Sequence, residues 1–325
     1  MSFTVTLLPD NHQFEAEAHE SILNAALRAG LAMDYGCSNG NCGHCHARCI
    51  EGQTARLSPH DYSLSEAGKR AGDILLCSYA ASSDVTVEAM TAHTAADIPL
   101  QQLKAKLRRL SSAGDNTHIL QLRTPRSQSL RFIAGQHARL ILPNGLQREI
   151  PIASCPCDGM NLEFHIYRDA ADSFSDYVFN ELTTSTQIDV EGPVGDFTLD
   201  ESSSAPILFI AWEAGFGPIR SLVEHCLNLE LKQAIHLYWI FHEKNGNYAD
   251  GYCRSVSDAI DNFSYTPLRV ADVSAAFNQV AHEHNDLSEL SMYLAMPPAV
   301  ADQAMSFFKQ QGLKEKHVKI DPLVA

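Results

Sequence analysis

One stretch, "DYGCSNGNCGHCHARCIEG", constrains this chain more than any other. Cys37, Cys42 and Cys45 give C-x4-C-x2-C, and Cys77 follows after 31 intervening residues in "DILLCSYA". That spacing is the plant-type ligand pattern for a 2Fe–2S cluster. Four thiolates must converge on two irons while backbone amides point at the sulfurs, which stabilises the more negative reduced state. Gly36, Gly40 and Gly43 permit so tight a loop and bring its amides close. A structural zinc site is the rival reading, because C-x2-C is also half of a zinc knuckle. Zinc sites usually offer two such halves, and Cys77 stands alone. A Rieske site needs a Cys-x-x-His beside Cys42-Gly43-His44, and none follows. Cys37, Cys42, Cys45 and Cys77 are therefore the expected ligands. His44 and His46 are expected at the surface, and Cys49 as a buried thiol outside the set.

A chain of 325 residues exceeds one small core, so two or three domains are expected. Its 45% hydrophobic content marks a globular protein. The net charge of −15, from 39 acidic and 24 basic residues, argues against a nucleic-acid groove and an anionic membrane surface. It leaves docking on a basic partner open. No segment approaches the roughly 18 apolar residues of a membrane span. The start, "MSFTVTLLPDNHQFEAEAHE", lacks a basic region and a continuous apolar stretch, so no signal peptide and a cytoplasmic location are expected. Nine cysteines in that compartment favour metal ligands and free thiols over disulfides.

"FTVTLL" and "FEAEA" alternate apolar and polar residues around "PDNH", which predicts a hairpin. "SILNAALRAG" has helical spacing, with a serine at its start and Gly30 at its end. "HARCIEG", "DILLCSYA" and "DVTVEAM" read as strands. Residues 1–90 are thus expected to place one helix over a small mixed sheet, with 91–98 a linker. Over 99–202, closely spaced strands such as "HILQLRTP", "HARLILP" and "LEFHIYR" predict an antiparallel barrel, interrupted by the helix "SDYVFNEL". Over 203–325, "PILFIAW", "AIHLYWIFH", "YTPLRVAD" and "SMYLAM" alternate with helical stretches, which predicts a parallel α/β sheet. Cys155-Pro156-Cys157, Cys226 and Cys253 read as free thiols, and "GNYADGY" as a loop.

With these parts in this order, nearly the whole chain resembles the ferredoxin–NAD(P)H reductase-type electron-transfer proteins that carry an N-terminal plant-type 2Fe–2S ferredoxin domain. That family includes reductase components of bacterial oxygenases and CDP-6-deoxyglucoseen reductase. "IDVEGPVGDFTL", with Gly192, Pro193, Gly195 and Phe197, resembles the family's barrel end. "GFGPIRSLVEH" and "YLAMPP" occupy the expected positions in the last domain. The resemblance implies a β-grasp ferredoxin domain, an FAD-type barrel and an NAD-type Rossmann-like module. It also implies hydride transfer from NAD(P)H to flavin, then single electrons to the cluster.

The nucleotide motifs depart from the family's pattern. Its Arg-x-Tyr/Phe-Ser/Thr flavin motif reads "REIP" here, keeping Arg148 and replacing the aromatic and hydroxyl residues by Ile150 and Pro151. Its Gly-Gly pair before the pyrophosphate-binding helix aligns with Ala171 and Asp172, followed by Ser175. Aspartate caps a helix well but repels a phosphate. Its Gly-Gly-Thr-Gly becomes "WEAG", Trp212 to Gly215. Tryptophan fills the space a pyrophosphate needs, and a carboxylate 4 Å from a phosphate costs on the order of 4 kcal/mol at an effective dielectric near 20. Its Cys-Gly-Pro-Pro becomes Ala295-Met296-Pro297-Pro298. Arg148 and Ser175 remain the implied flavin contacts.

These departures make the first expectation an iron–sulfur electron-transfer protein that passes single electrons through its cluster. On this reading the reductase-like body has lost ordinary FAD and NAD(P)H binding and serves docking or structure. The alternative is a functional NAD(P)H- and FAD-dependent reductase feeding an oxygenase. A redox-responsive regulatory subunit is the third reading. Each implies a redox partner protein as donor or acceptor, and no catalytic residue is singled out.

Overall fold

The computed structural model describes residues 1–35, 38–89, 91, 97–125, 128–169, 171–242, 246–284 and 286–323. Cys37, Gly36 and most of the expected linker lie outside them.

The N-terminal part contains β1 (Ser2–Leu8), β2 (His12–Glu17), α1 (Ile22–Arg28), β3 (His46–Glu51), β4 (Thr54–Arg56), α2 (Glu66–Arg70), β5 (Asp73–Leu75), β6 (Tyr79–Ala81) and β7 (Val85–Glu88). Its main sheet runs β2-β1-β7-β3-β5, with β4 paired to β6 beside it. Alternation puts Val5 and Leu7 of β1 and Phe14 and Ala16 of β2 on one face. Against that face α1 lays Ile22, Leu23, Ala25, Ala26 and Leu27, after Ser21 caps it by accepting from the Asn24 amide. One expected strand is divided. "DILLCSYA" breaks at Leu76–Ser78, where the Ser78 amide donates to the Leu75 carbonyl at 2.8 Å, so Cys77 sits on a turn.

The middle part holds β8 (Gln101–Ser112), β9 (Thr117–Arg123), β10 (His137–Ile141), β11 (Gln147–Pro151), β12 (Asn161–Tyr167), α3 (Ser173–Asn180) and β13 (Gln187–Val194). Its antiparallel sheet runs β11-β10-β13-β8-β9-β12. Its two edges approach where the Ala153 amide donates to the Glu163 carbonyl at 2.8 Å, which nearly closes the barrel. Leu162, Phe164 and Ile166 of β12 point inward with a period of two.

The last part alternates β14 (Ile207–Trp212), α4 (Phe216–Asn228), β15 (Ile235–His242), α5 (Asp250–Ala259), β16 (Phe263–Val270), α6 (Val273–Glu283), β17 (Ser291–Ala295), α7 (Pro298–Gln310) and β18 (Val318–Asp321). All its pairings are parallel, in the order β16-β15-β14-β17-β18. Every residue of β14 and of β17 is buried, as expected of strands covered on both faces. The order reverses between β14 and β17, and crevices at such switch points bind ligands in open α/β sheets. The expected loop "GNYADGY" is helical in its second half, because Asp250 opens α5 and pairs with Arg254 one turn on.

Candidate functional site

Cys45 closes the Gly-rich loop just before β3, and the Cys77 turn lies beside it because β3 and β5 are neighbours. The Leu76 amide donates to the Cys45 carbonyl at 2.9 Å, which fixes the two segments together. Their sulfurs are 3.2 Å apart and form no disulfide. A hydrogen bond from Cys45 draws the Cys77 thiol below its ordinary value against the effect of burial, helped by Ser78 and the Gly40 amide. The Cys45 thiol, donating to that sulfur and buried, is pushed up. Cys42 is half-buried nearby in sequence. Amides and a hydroxyl aimed at a thiolate are the donor chemistry of an iron–sulfur ligand, so these residues fit the cluster. Among the described residues no complete group of three metal-ligating side chains is gathered, and Cys37 lies outside them.

His46 is exposed and joins Arg48 in pairing with Asp73, each at 3.3 Å. Cys49 is half-buried, less than expected, with its sulfur 3.4 Å from the Glu51 carbonyl. His60 escapes any spacing argument, yet it packs against Gly40. Its Nδ1 lies 2.8 Å from the Tyr62 carbonyl, and its Nε2 is buried without a partner.

A cavity of about 440 Å³ opens at the seam between the barrel and the parallel sheet. Pro151, Tyr167, Phe197, Trp212 and Pro297 supply flat or apolar walls, Arg148 supplies positive charge, and Glu149, Asp169, Asp196, Glu213 and Asp321 supply carboxylates. Arg148 Nη1 donates to Asp172 Oδ2 at 2.7 Å, while its Nε is buried with no partner. An orphaned guanidinium donor beside a cavity with aromatic walls fits the ring and one oxygen of a flavin. A larger cavity of about 890 Å³ shares Asp196 and Phe197 with this one. It is a weaker candidate, since the Lys319 ammonium lining it is committed to the Thr198 carbonyl at 2.6 Å.

Asp172 caps α3, its carboxylate accepting from the Phe174 and Ser175 amides at 3.2 and 2.9 Å. Ser175 is fully buried, and its hydroxyl donates to the Asp169 carbonyl at 2.8 Å. The first turn of α3 is thus satisfied from within the chain. At the switch point Trp212 is buried edge-on to His242, with ring centroids 5.1 Å apart. Glu213 follows in the left-handed region, at φ 45°, and its Oε1 accepts from the His242 amide at 3.2 Å.

Residues 5–82 match the 2Fe-2S iron-sulfur cluster binding domain, and residues 104–199 match the oxidoreductase FAD-binding domain. The CDP-6-deoxy-L-threo-D-glycero-4-hexulose-3-dehydrase reductase of Yersinia pseudotuberculosis is 30% identical over 331 residues, covering 100% of this chain and 99% of that protein. The chain belongs to the ferredoxin–NAD(P)H reductase-type family with an N-terminal 2Fe–2S ferredoxin domain.

Two other likenesses span nearly the whole length. The reductase component of propane 2-monooxygenase from Gordonia sp. is 24% identical and covers 98% of this chain and 96% of its own. The solved Amycolatopsis cytochrome P450 reductase GcoB superposes with a TM-score of 0.63 at 22% identity, covering 98% of each chain, and speaks for the fold. As a family member, the chain is an electron-transfer oxidoreductase with a ferredoxin domain ahead of an FNR-like body. Within that frame Arg148 lines the cavity at the seam, whereas Ser175 is turned into the backbone of its own helix start. Asp172 and Glu213 each hold backbone amides with their carboxylates.

Proposed function

We propose that this protein is an NAD(P)H- and flavin-dependent reductase that delivers single electrons through a 2Fe–2S cluster to a partner protein such as an oxygenase component. Full-length relatedness to proteins named as reductases favours this over a flavin-free carrier. The structural observation that carries it is Arg148, among the described residues the one permanently charged cation lining the cavity at the seam, with a buried donor still unpaired.

The chain's own groups have separable tasks. Cys37, Cys42, Cys45 and Cys77 are the proposed iron ligands. Pro151, Tyr167, Phe197 and Trp212 exclude water around a planar ring, and Arg148 takes an anionic or carbonyl oxygen. Ser175 acts behind the site by fixing the start of α3. A bound flavin supplies the conversion of a two-electron hydride into single electrons that a 2Fe–2S centre accepts. The proposed units are residues 1–90, 99–202 and 203–325, joined by 91–98. The eight described cysteines are all free of disulfides, which supports the cytoplasm as the compartment. Among the described residues no helix is long and apolar enough to cross a membrane.

The test is anaerobic. NADH or NADPH with added FAD should bleach the visible absorption of the cluster-loaded protein and produce the electron-spin signal of a reduced 2Fe–2S centre. No bleaching with either nucleotide overturns the reading. A one-electron carrier with a structural body is the second reading. It is favoured by the self-satisfied start of α3, and it predicts cluster reduction by a protein donor alone.

A further inference from the structure

We propose that Asp172 competes with a flavin phosphate for Arg148 and for the first turn of α3, and thereby sets how tightly flavin is held. The proposal rests on the flavin-dependent reading above and concerns the regulation of that site by the chain itself.

The charge around the cavity is lopsided. Against Arg148, the described lining includes five carboxylates, those of Glu149, Asp169, Asp196, Glu213 and Asp321. A ligand bearing phosphate has one full cation to meet there. That cation already donates to Asp172 at 2.7 Å, in a pair whose side chains are only 21% and 23% exposed. The same carboxylate takes the Phe174 and Ser175 amides. Free amides at a helix start attract anions, and here one side chain occupies both the amides and the guanidinium. Burial works against ionisation of Asp172. The Ser175 and Phe174 amides and Arg148 outweigh it, and the carboxyl lies below its ordinary value. It is therefore charged at neutral pH. An incoming phosphate must displace that carboxylate or sit beside it, sharing the guanidinium N–H groups that Asp172 leaves over.

Asp172→Asn removes the charge and keeps a good helix cap, so the start of α3 survives the change. Binding of riboflavin, FMN and FAD to cluster-loaded, full-length protein is measured by equilibrium dialysis for wild type and Asp172→Asn. Riboflavin carries no phosphate and reports on the ring pocket alone. FMN and FAD should bind the variant roughly tenfold tighter or better, with riboflavin within about twofold; tenfold corresponds to about 1.4 kcal/mol. Wild type binding no FAD while the variant does also supports the proposal. FMN and FAD affinities that are unchanged or weaker overturn it, as does equal tightening of riboflavin. If wild type holds FAD tightly and the variant does not improve, this proposal fails and the flavin-dependent reading stands. If neither protein binds any flavin, both fail.

Discussion

Cys45 Sγ and Cys77 Sγ stand 3.2 Å apart, although 31 residues separate them in the chain. The sheet makes this contact by placing β5 next to β3, and the turn at Leu76–Ser78 aims Cys77 back at the loop. Converting either to serine removes a soft thiolate from the pair. Cys45→Ser and Cys77→Ser should each reduce iron and labile sulfide after reconstitution to near background. Cys49→Ser, whose sulfur turns toward the Glu51 carbonyl, should retain the full complement. Iron and sulfide assays check this, and a Cys77→Ser protein with undiminished iron would refute the ligand assignment.

Gly40 tests the loop's geometry. Its φ is +80°, and a Cβ there would lie 2.3 Å from His60 Cβ and 2.8 Å from Ser78 Oγ. Gly145 has a similar φ of +86° with nothing within 4 Å. Alanine at either position bears the same backbone cost, about 1 kcal/mol. Only Gly40→Ala adds a collision beside Cys77. The cluster in Gly40→Ala should decay several-fold faster in air than in Gly145→Ala, followed by visible absorbance. Equal decay would mean that the loop relaxes freely around His60.

His165 gives a pH dependence. Its side chain is buried on β12 with Nε2 2.9 Å from Glu163 Oε1 and Nδ1 2.8 Å from the Tyr248 hydroxyl. Burial lowers it from 6.5 to about 4, opposed only weakly by the charge of Glu224. The neighbouring Glu163 carboxylate is already committed to Arg220. Between these two values the unfolded chain takes up a proton that the folded one refuses, so stability falls as pH drops below 6.5. From pH 7 to pH 5 this group alone should remove about 2 kcal/mol. Urea unfolding at both pH values checks it, with His165→Gln expected to show a shallower loss than wild type by about that amount.

Much of the fold is legible because it rests on periodicity. Alternation in "LEFHIYR" and the fully apolar "PILFIAW" mark a barrel strand and a buried parallel strand, and the structure contains both. The cluster loop is legible because ligand spacing is a local property. Cys77 exposes the limit of pattern, since "DILLCSYA" reads as one strand while the chain needs a turn to direct the thiol. The cleft was readable only as departures. "REIP" and "WEAG" differ from the pattern the resemblance implies, but the pairing of Arg148 with Asp172 joins β11 to the start of α3 and follows from barrel closure. His165, Arg220 and Tyr248 come from separate elements, so no spacing could announce their network.

Glu213 offers the last test, at the switch point between β14 and β17. A non-glycine residue at φ 45° is uncommon, and such strain costs of order 1–3 kcal/mol. Here it is offset by the His242 amide donating to Glu213 Oε1 and by the Trp239 indole donating to the Glu213 carbonyl at 3.0 Å. Glycine at this position keeps the carbonyl contact, relieves the strain and removes a negative charge from the crevice where, on the proposed function, a dinucleotide's pyrophosphate would approach. Glu213→Gly should therefore lower the KM for NADH several-fold in the anaerobic bleaching assay with FAD in excess, leaving stability within about 1 kcal/mol of wild type. Trp212→Gly is the informative contrast. It opens space at the same turn but leaves a cavity in a packed wall, and should cost about 3–5 kcal/mol. An unchanged KM in Glu213→Gly, with the protein folded, would show that the nicotinamide dinucleotide does not approach this turn.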